Sequence, residues 1–126
     1  MKAFLIANLF IILVQGCGLI IKRDKVKVFI PGAYTRVSQH EFGTEHDTII
    51  INVQNEFSDQ YHIERRWKYE RILDGEKLKP EYKLFKMTGF YNSHNELLRI
   101  EHTGEILSFN PKKKQIVVGS VTYQKK

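Results

Sequence analysis

Apolar and polar residues alternate along much of this chain with the period of a β-strand. Between Tyr61 and Leu73 the odd-numbered residues are mostly apolar or aromatic, and the even-numbered residues are mostly charged. Successive side chains of a strand point to opposite faces, so this period of two predicts a strand with one dry and one wet face. A second strand is predicted from Thr48 to Gln54, where β-branched residues are concentrated.

Turn-forming residues separate the predicted strands at short, regular intervals. Asp74-Gly75 predicts a two-residue hairpin turn, because both residues tolerate positive φ. Pro80 lacks an N–H group and therefore suits the start or the edge of the returning strand. Further strands are expected at Lys25–Ile30, Ala33–Val37, Lys83–Tyr91, Leu97–Ile100, Ile106–Phe109 and Gln115–Tyr123. The pattern predicts an all-β fold, an antiparallel β-meander that forms a small up-and-down barrel or half-barrel.

The first seventeen residues follow a different pattern. One lysine precedes a short apolar run, and Val14-Gln15-Gly16 stands directly before Cys17, the only cysteine of the chain. This arrangement resembles the bacterial lipoprotein signal, in which an aliphatic, a loosely specified and a small residue precede the modified cysteine. The resemblance implies cleavage before Cys17 and lipidation of its sulfur. The expected organisation is then a signal peptide (1–16), a lipid-anchored tether (17–25) and a single β-meander domain (26–126).

This segment allows two other interpretations, a transmembrane anchor and the signal peptide of a soluble secreted protein. A transmembrane anchor from Ala3 to Ile21 is about long enough to span a bilayer. However, Asn8 and Gln15 interrupt it, and the basic residues that follow it would hold the domain in the cytoplasm. A soluble secreted product leaves Cys17 unexplained. The lipoprotein interpretation implies the cell envelope, and Gly18 favours the outer membrane of a Gram-negative bacterium by analogy with lipoprotein sorting in enteric bacteria.

Charge and cysteine content narrow the function classes. The chain has 20 basic and 14 acidic residues, a formal net charge of +6. This balance is only moderately basic, and nucleic acid is a poor partner for an exported, lipid-anchored protein. With Cys17 lipidated the mature chain has no thiol, so neither disulfides nor thiolate chemistry are expected. A mature chain of about 110 residues is long enough to form one core without disulfides.

Short motifs along the chain carry two family resemblances. The chain is similar to small lipoproteins of Bacteroidetes-type bacteria at Pro31-Gly32-Ala33-Tyr34, Asp47-Thr48, Tyr69-Glu70-Arg71, Asp74-Gly75, Pro80-Glu81 and Phe109. Gly32-x-Tyr34 also resembles the Gly-x-Trp opening of lipocalins, with tyrosine in place of tryptophan. The second resemblance implies a lipocalin-like barrel, and neither implies an activity.

The candidate ligand-binding residues are Arg65, Trp67, Tyr69 and Arg71, which share one parity on the predicted strand. Two guanidinium groups inside a small barrel can hold a carboxylate or a phosphate. Alternatively, the arginines lie at the rim of the barrel and stack on the aromatic rings as cation–π pairs. The parity alone leaves both interpretations open.

No catalytic or metal site is expected. The segment from His40 to Asp47 contains residue types that bind zinc, but it lacks a tight histidine spacing and reads as a solvated loop around Phe42-Gly43-Thr44. The sequence has neither a nucleophile elbow nor a glycine-rich phosphate loop. We therefore expect a protein that is not an enzyme and has no cofactor.

Two functional hypotheses follow. The first is a docking or structural β-domain for an envelope partner. The second is a lipocalin-like binding module for a small apolar or anionic ligand or a glycan. A cavity lined by Arg65 and Trp67 would favour the binding module, whereas a filled core with an apolar edge would favour docking.

Overall fold

The computed structural model describes residues 24–126. The predicted signal peptide, Cys17 and most of the predicted tether therefore lie outside the described residues. The described chain forms one short helix, α1 (Lys25–Phe29), and nine strands: β1 (Gly32–His40), β2 (Gly43–Asn55), β3 (Gln60–Leu73), β4 (Glu76–Lys77), β5 (Glu81–Asn92), β6 (Leu97–Ile100), β7 (Ile106–Asn110), β8 (Gln115–Val118) and β9 (Val121–Lys125).

Eight of these strands close into an antiparallel barrel. Neighbours around the barrel are β2, β1, β9, β8, β7, β6, β5 and β3, and pairing of β2 with β3 closes the circle. Strand β4 is a two-residue addition to β3 after the turn at Asp74 and Gly75, whose φ angles are +52° and +78°. The predicted all-β meander and its closure into a small barrel are confirmed.

Side chains fill the interior of the barrel. Every barrel strand contributes at least one buried residue, and α1 contributes Val26, with Ile30 directly after it. The Tyr34 hydroxyl donates hydrogen bonds to the carbonyl oxygens of Phe29 (2.9 Å) and Ile30 (2.8 Å), which ties α1 to one end of the barrel. The completely or almost completely buried side chains are Tyr34, Tyr61, Ile30, Ile51, Ile63, Leu98, Leu107 and Ile116.

Helix α1 corrects the prediction of a first strand at Lys25–Ile30. The Asp24 carboxylate accepts hydrogen bonds from the N–H groups of Val26 (3.0 Å) and Lys27 (3.1 Å), so it caps the first turn. Val26 and Ile30 stand four residues apart and lie on one helical face, which packs into the barrel. An apolar spacing of four and an N-cap aspartate together favour a helix over a strand here.

Gly89 lies where β5 passes closest to the core. A Cβ atom at this position would lie 2.5 Å from Leu98 Cδ2 and 2.8 Å from Ile63 Cδ1. Gly89→Ala is therefore expected to overpack the core and to lower the free energy of unfolding by about 1–3 kcal/mol. Denaturant unfolding measures the loss.

The second half of that test is a double mutant. Ile63→Val removes the crowding Cδ1 methyl group, so Gly89→Ala combined with Ile63→Val should cost less than the sum of the two single losses. Simple additivity of the two losses would contradict the close packing of this position.

Candidate functional site

Four strands extend beyond the closed barrel and form an arm. Strand β9 pairs with β1 only at Tyr34 and Thr35, and β6 pairs with β5 only along Gly89–Asn92. Past these points β1, β2, β3 and β5 continue to pair with one another. We call residues 36–47 and 66–86 the arm. The arm projects from one end of the barrel, which we call the open end. Helix α1 lies at the other end.

A buried carboxylate holds three strands together where the arm leaves the barrel. Asp47 on β2 is 3% exposed. The Arg65 guanidinium on β3 donates to both carboxylate oxygens, with Nη2 2.7 Å from Oδ2 and Nε 3.1 Å from Oδ1. The Tyr123 hydroxyl on β9 donates to the same Oδ2 at 2.8 Å. The network fixes the inner face of the arm against the barrel.

The network shifts the proton affinities of its members. Burial, together with the hydrogen bond to Asp47, raises the pKa of Tyr123 to about 12. The hydrogen bond to Asp47 is the main reason why the pKa of Arg65 rises above its ordinary value. A charged guanidinium and a neutral phenol are therefore the stable forms in the folded protein at neutral pH.

Asp47 itself corrects the sequence analysis, which placed it in a solvated loop. The turn after His40 is present at Glu41 and Phe42, but β2 already begins at Gly43. Strand register then places Asp47 opposite Trp67, on the same face as buried Ile49. Among residues 24–126, no group of three His, Cys, Asp or Glu side chains comes together as a metal site.

Aromatic rings form a stack on the inner face of the arm. Trp67 and Tyr69 stack with their centroids 5.6 Å apart, and His40 stacks on Tyr69 at 5.9 Å. Lys83 lies over the Trp67 ring, with Nζ 5.0 Å from the centroid. Tyr69 also donates a hydrogen bond of 3.3 Å to the carbonyl oxygen of Phe42 in the turn at the tip. The stack links β1, β3 and β5.

The four predicted ligand residues share the inner face of β3 but occupy different surroundings. Arg65 is bound to Asp47, Trp67 and Tyr69 are half-buried in the stack, and Arg71 is exposed near the tip. Trp67 and Tyr69 have the parity of the buried residues of β3, but they lie outside the core. Their strand has left the closed barrel at that height, so no opposite wall covers them.

Apolar side chains are unusually exposed on the arm. Seven of the twelve exposed large hydrophobic residues found in residues 24–126 belong to it: Val37, Phe42, Leu73, Leu78, Tyr82, Leu84 and Phe85. Tyr82 and Leu84 lie on the outer face beside His46 and Lys68, along a groove of about 520 Å³. The side chain of Phe85 lies on the inner face, opposite Arg65. These exposed residues were not predicted as site residues, although both parities of Tyr82–Phe85 carry apolar side chains.

Among residues 24–126, the arm also has a backbone edge that no strand covers. Between Glu81 and Met87, β5 pairs with β3 on one side, and its described pairing with β6 begins only at Gly89. Natural proteins usually shorten, charge or cover such edges, because unpaired N–H and C=O groups recruit further strands. Lys83 and Lys86 on this edge are charged, and Lys83 is held over Trp67.

The clefts of the protein separate Arg65 from Trp67. Five surface clefts among residues 24–126 have volumes of about 200–530 Å³, and none of these five is lined by both residues. Arg65 and Tyr123 line a cleft of about 530 Å³ at the open end, together with the turns at Gly104 and Gly119. The described residues thus combine a filled core with an arm that exposes apolar side chains.

The Asp47 network can be tested by removing the carboxylate. Asp47→Ala leaves the Arg65 charge and the Tyr123 hydroxyl without their partner, and we expect a loss of about 3 kcal/mol in the free energy of unfolding. Glu64→Ala is the control, because its ion pair with Arg66 (2.8 Å) lies on the outer face and should be worth less than about 1 kcal/mol. Equal losses for the two variants in denaturant unfolding would contradict a supporting role for Asp47.

Tyr123 makes the stability of the protein sensitive to alkaline pH. Its pKa is raised in the folded state, so its contribution is complete below the ordinary tyrosine pKa of about 10 and is lost as the pH approaches about 12. We expect unfolding free energy to fall across this range and to fall less steeply in Tyr123→Phe. Ultraviolet absorbance of tyrosinate, followed beside denaturant unfolding, measures both; identical slopes for the two proteins would refute the assignment.

Comparison with known proteins and a search for membrane-spanning helices gave two findings. No helix within residues 24–126 is long and apolar enough to cross a membrane. No family model, curated protein or solved structure matches the chain.

Proposed function

We propose that this protein is a lipid-anchored protein of the cell envelope whose β-barrel presents the arm to a protein partner. The single observation that carries the proposal is the arm, which combines a free strand edge with clustered exposed apolar side chains on a barrel whose interior is filled. The lipobox-like segment ending at Cys17 supports the anchor and, with Gly18, the outer membrane of a Gram-negative bacterium. The resemblance to small Bacteroidetes-type lipoproteins agrees with this location.

The chemistry of the arm suits an extended segment of a partner. A peptide that adds to the β5 edge would gain main-chain hydrogen bonds, and alternate side chains would contact the two faces of the sheet. Its side chains could contact the exposed Tyr82 and Leu84 on the outer face and the exposed Phe85 on the inner face. Tyr82 and Leu84 line one groove, and apolar surface of this kind marks interaction sites in soluble domains. Aromatic and arginine residues supply most interface hot spots.

Rigidity of the arm supports the same conclusion. The network of Asp47, Arg65 and Tyr123 ties its base to β9. The stack of His40, Tyr69 and Trp67, together with Lys83 over the Trp67 ring, ties β1, β3 and β5 together. A surface that is ordered before binding loses less conformational entropy when the partner docks. A partner would therefore meet a preformed surface.

The alternative function is a lipocalin-like binding module for a small apolar or anionic ligand or a glycan. The observation that favours it is the cleft of about 530 Å³ at the open end, where Arg65 and Tyr123 meet the turns at Gly104 and Gly119. Arg65 can offer a carboxylate or phosphate only the donors that Asp47 leaves free. Docking through the arm would cover more of the exposed apolar side chains than ligand binding in this cleft would.

The docking proposal is tested by site-specific photo-crosslinking in envelopes of the native host. A photoreactive residue at Leu84 (56% exposed) should capture a discrete envelope protein. The matched control carries the photoreactive residue in place of Ile106 (47% exposed), on barrel strand β7, and this variant should not capture the envelope protein. Trp67→Ala should weaken capture at Leu84 by about tenfold or more, if Trp67 is a hot spot that holds the arm. Equal capture at the two positions would contradict docking through the arm.

The binding-module alternative has its own readout. Trp67 is the only tryptophan, so its fluorescence reports on the inner face of the arm. Saturable changes on titration with short anionic glycans or fatty acids, which Arg65→Gln removes, would favour the ligand-binding function over docking.

The anchor is tested at Cys17. The native protein should label with a fatty-acid probe and lack residues 1–16 by intact mass, and Cys17→Ser should remain unacylated. Several acyl chains make anchoring stable, since each buried CH₂ contributes about 0.8 kcal/mol. A full-length, unlabelled native protein would show that the segment is not a lipoprotein signal.

A further inference from the structure

The end of the barrel opposite to the arm gathers the helix, three turns and both ends of the described chain. The directions of the strands bring the turns at 56–59, 93–96 and 111–114 to this end, beside α1 and Lys126. Contacts confirm the grouping: Lys27 Nζ lies 2.6 Å from Asp59 Oδ1, and the Tyr91 hydroxyl donates to Asp24 Oδ2 at 3.0 Å. We call this the α1 end.

The α1 end is basic. Its segments (24–31, 54–60, 92–96, 110–114 and 125–126) contain seven lysines and four acidic residues. Lys112, Lys113 and Lys114 are consecutive and exposed on one turn. Two of the four carboxylates are already engaged, since Asp24 caps α1 and Asp59 pairs with Lys27.

The open end has the opposite charge. Its segments (41–45, 70–83, 101–105 and 119–120) contain eight acidic residues and four basic ones. The two ends of the barrel therefore differ in charge, with net positive charge at the α1 end and net negative charge in these segments of the open end. The arm as a whole is close to neutral, with eight basic and seven acidic residues. An anionic surface attracts the first end and repels the second, which orients the domain.

Exposed apolar residues accompany the lysines at the α1 end. The side chain of Phe57 is fully exposed at the tip of the turn between β2 and β3, and Val28 on α1 is 70% exposed. An aromatic residue beside lysines is the combination that enters a membrane interface, because the ring inserts at headgroup depth while the amines contact lipid phosphates. Asp24, where the described chain begins, is also at this end.

We infer that the α1 end is a membrane-docking surface that rests on an anionic lipid headgroup layer. Phe57 enters the interface, Lys112–Lys114 and Lys25 contact phosphates, and the arm points away from the membrane. The inference rests on the proposed function only for the anchor that keeps the chain at a membrane. It adds an orientation that a lipid tether alone does not impose.

The test measures the depth of two tryptophans in the full native protein, reconstituted into vesicles of phosphatidylglycerol and phosphatidylcholine with nitroxide-labelled headgroups. Native Trp67 reports on the arm and should be quenched little. The tryptophan introduced by Phe57→Trp in a Trp67→Phe background should be strongly quenched. Phe57 is fully exposed, so this change leaves the packing intact. Equal quenching of the two tryptophans, or none of the introduced one, overturns the inference.

Charge variants complete the test. Lys112→Gln, Lys113→Gln and Lys114→Gln together should weaken the docking equilibrium of the α1 end by about fivefold per lysine at low salt, and the quenching at position 57 should fall accordingly. Vesicles of phosphatidylcholine alone should also lower this quenching. The matched control replaces Lys77, Lys79 and Lys86 of the arm by glutamine. This control should leave the quenching at position 57 unchanged. An equal effect of both triple variants, or quenching indifferent to lipid charge, overturns the inference.

A failure of this inference can be distinguished from a failure of the proposed function. Acylation is read by intact mass and partner docking by crosslinking at Leu84, neither of which depends on the α1 end. A basic end that instead binds an acidic protein or glycan leaves the introduced tryptophan unquenched, which also overturns the inference.

Discussion

The constraint on which this structure depends is the closure of strands that differ greatly in length. Strands β6–β9 have four or five residues each, whereas β1, β2, β3 and β5 have nine to fourteen. A closed barrel is only as tall as its shortest neighbouring strands allow, because each strand must find hydrogen-bond partners on both sides. The excess length of four adjacent strands therefore leaves the barrel together. The arm is the consequence of that mismatch.

A sheet that leaves its barrel loses the wall that covered its inner face, and the protein meets this cost with polar and aromatic contacts. At the base, Asp47 is buried yet satisfied by Arg65 and Tyr123, so a charge is stabilised where the apolar core ends. Higher up, ring stacking replaces core packing. The inner face is held in one geometry, and its apolar area remains open to a partner.

The two ends of the barrel have different chemistry. The α1 end is closed by a helix, basic and close to the segment that precedes residue 24, whereas the open end is acidic and carries the arm. The charge of the α1 end suits the membrane proposed there. The exposed apolar side chains of the arm suit the protein partner proposed for it. In that arrangement the barrel is a spacer between anchor and arm.

The sequence by itself determined the fold class. Period-two alternation in Tyr61–Leu73 and the turn chemistry of Asp74-Gly75 are local signals, and they led to an antiparallel meander and to the correct face for Trp67 and Tyr69. The prediction of a first strand at Lys25–Ile30 was wrong, because the Asp24 cap and the Val26–Ile30 spacing favour a helix there. Even there, the relevant signals were present in the chain.

Only the tertiary structure decided what is buried. Parity assigns a face, but burial depends on whether another strand lies opposite at the same height, and strand ends are poorly marked in sequence. Asp47 was therefore expected in solvent and is buried, while Trp67, which lies on the face predicted to be dry, is only half-buried on the arm. Arg65 found its partner 18 positions away, and Tyr123 found the same carboxylate 76 positions away. Contacts at such separations arise from closure of the sheet, and no local pattern encodes them.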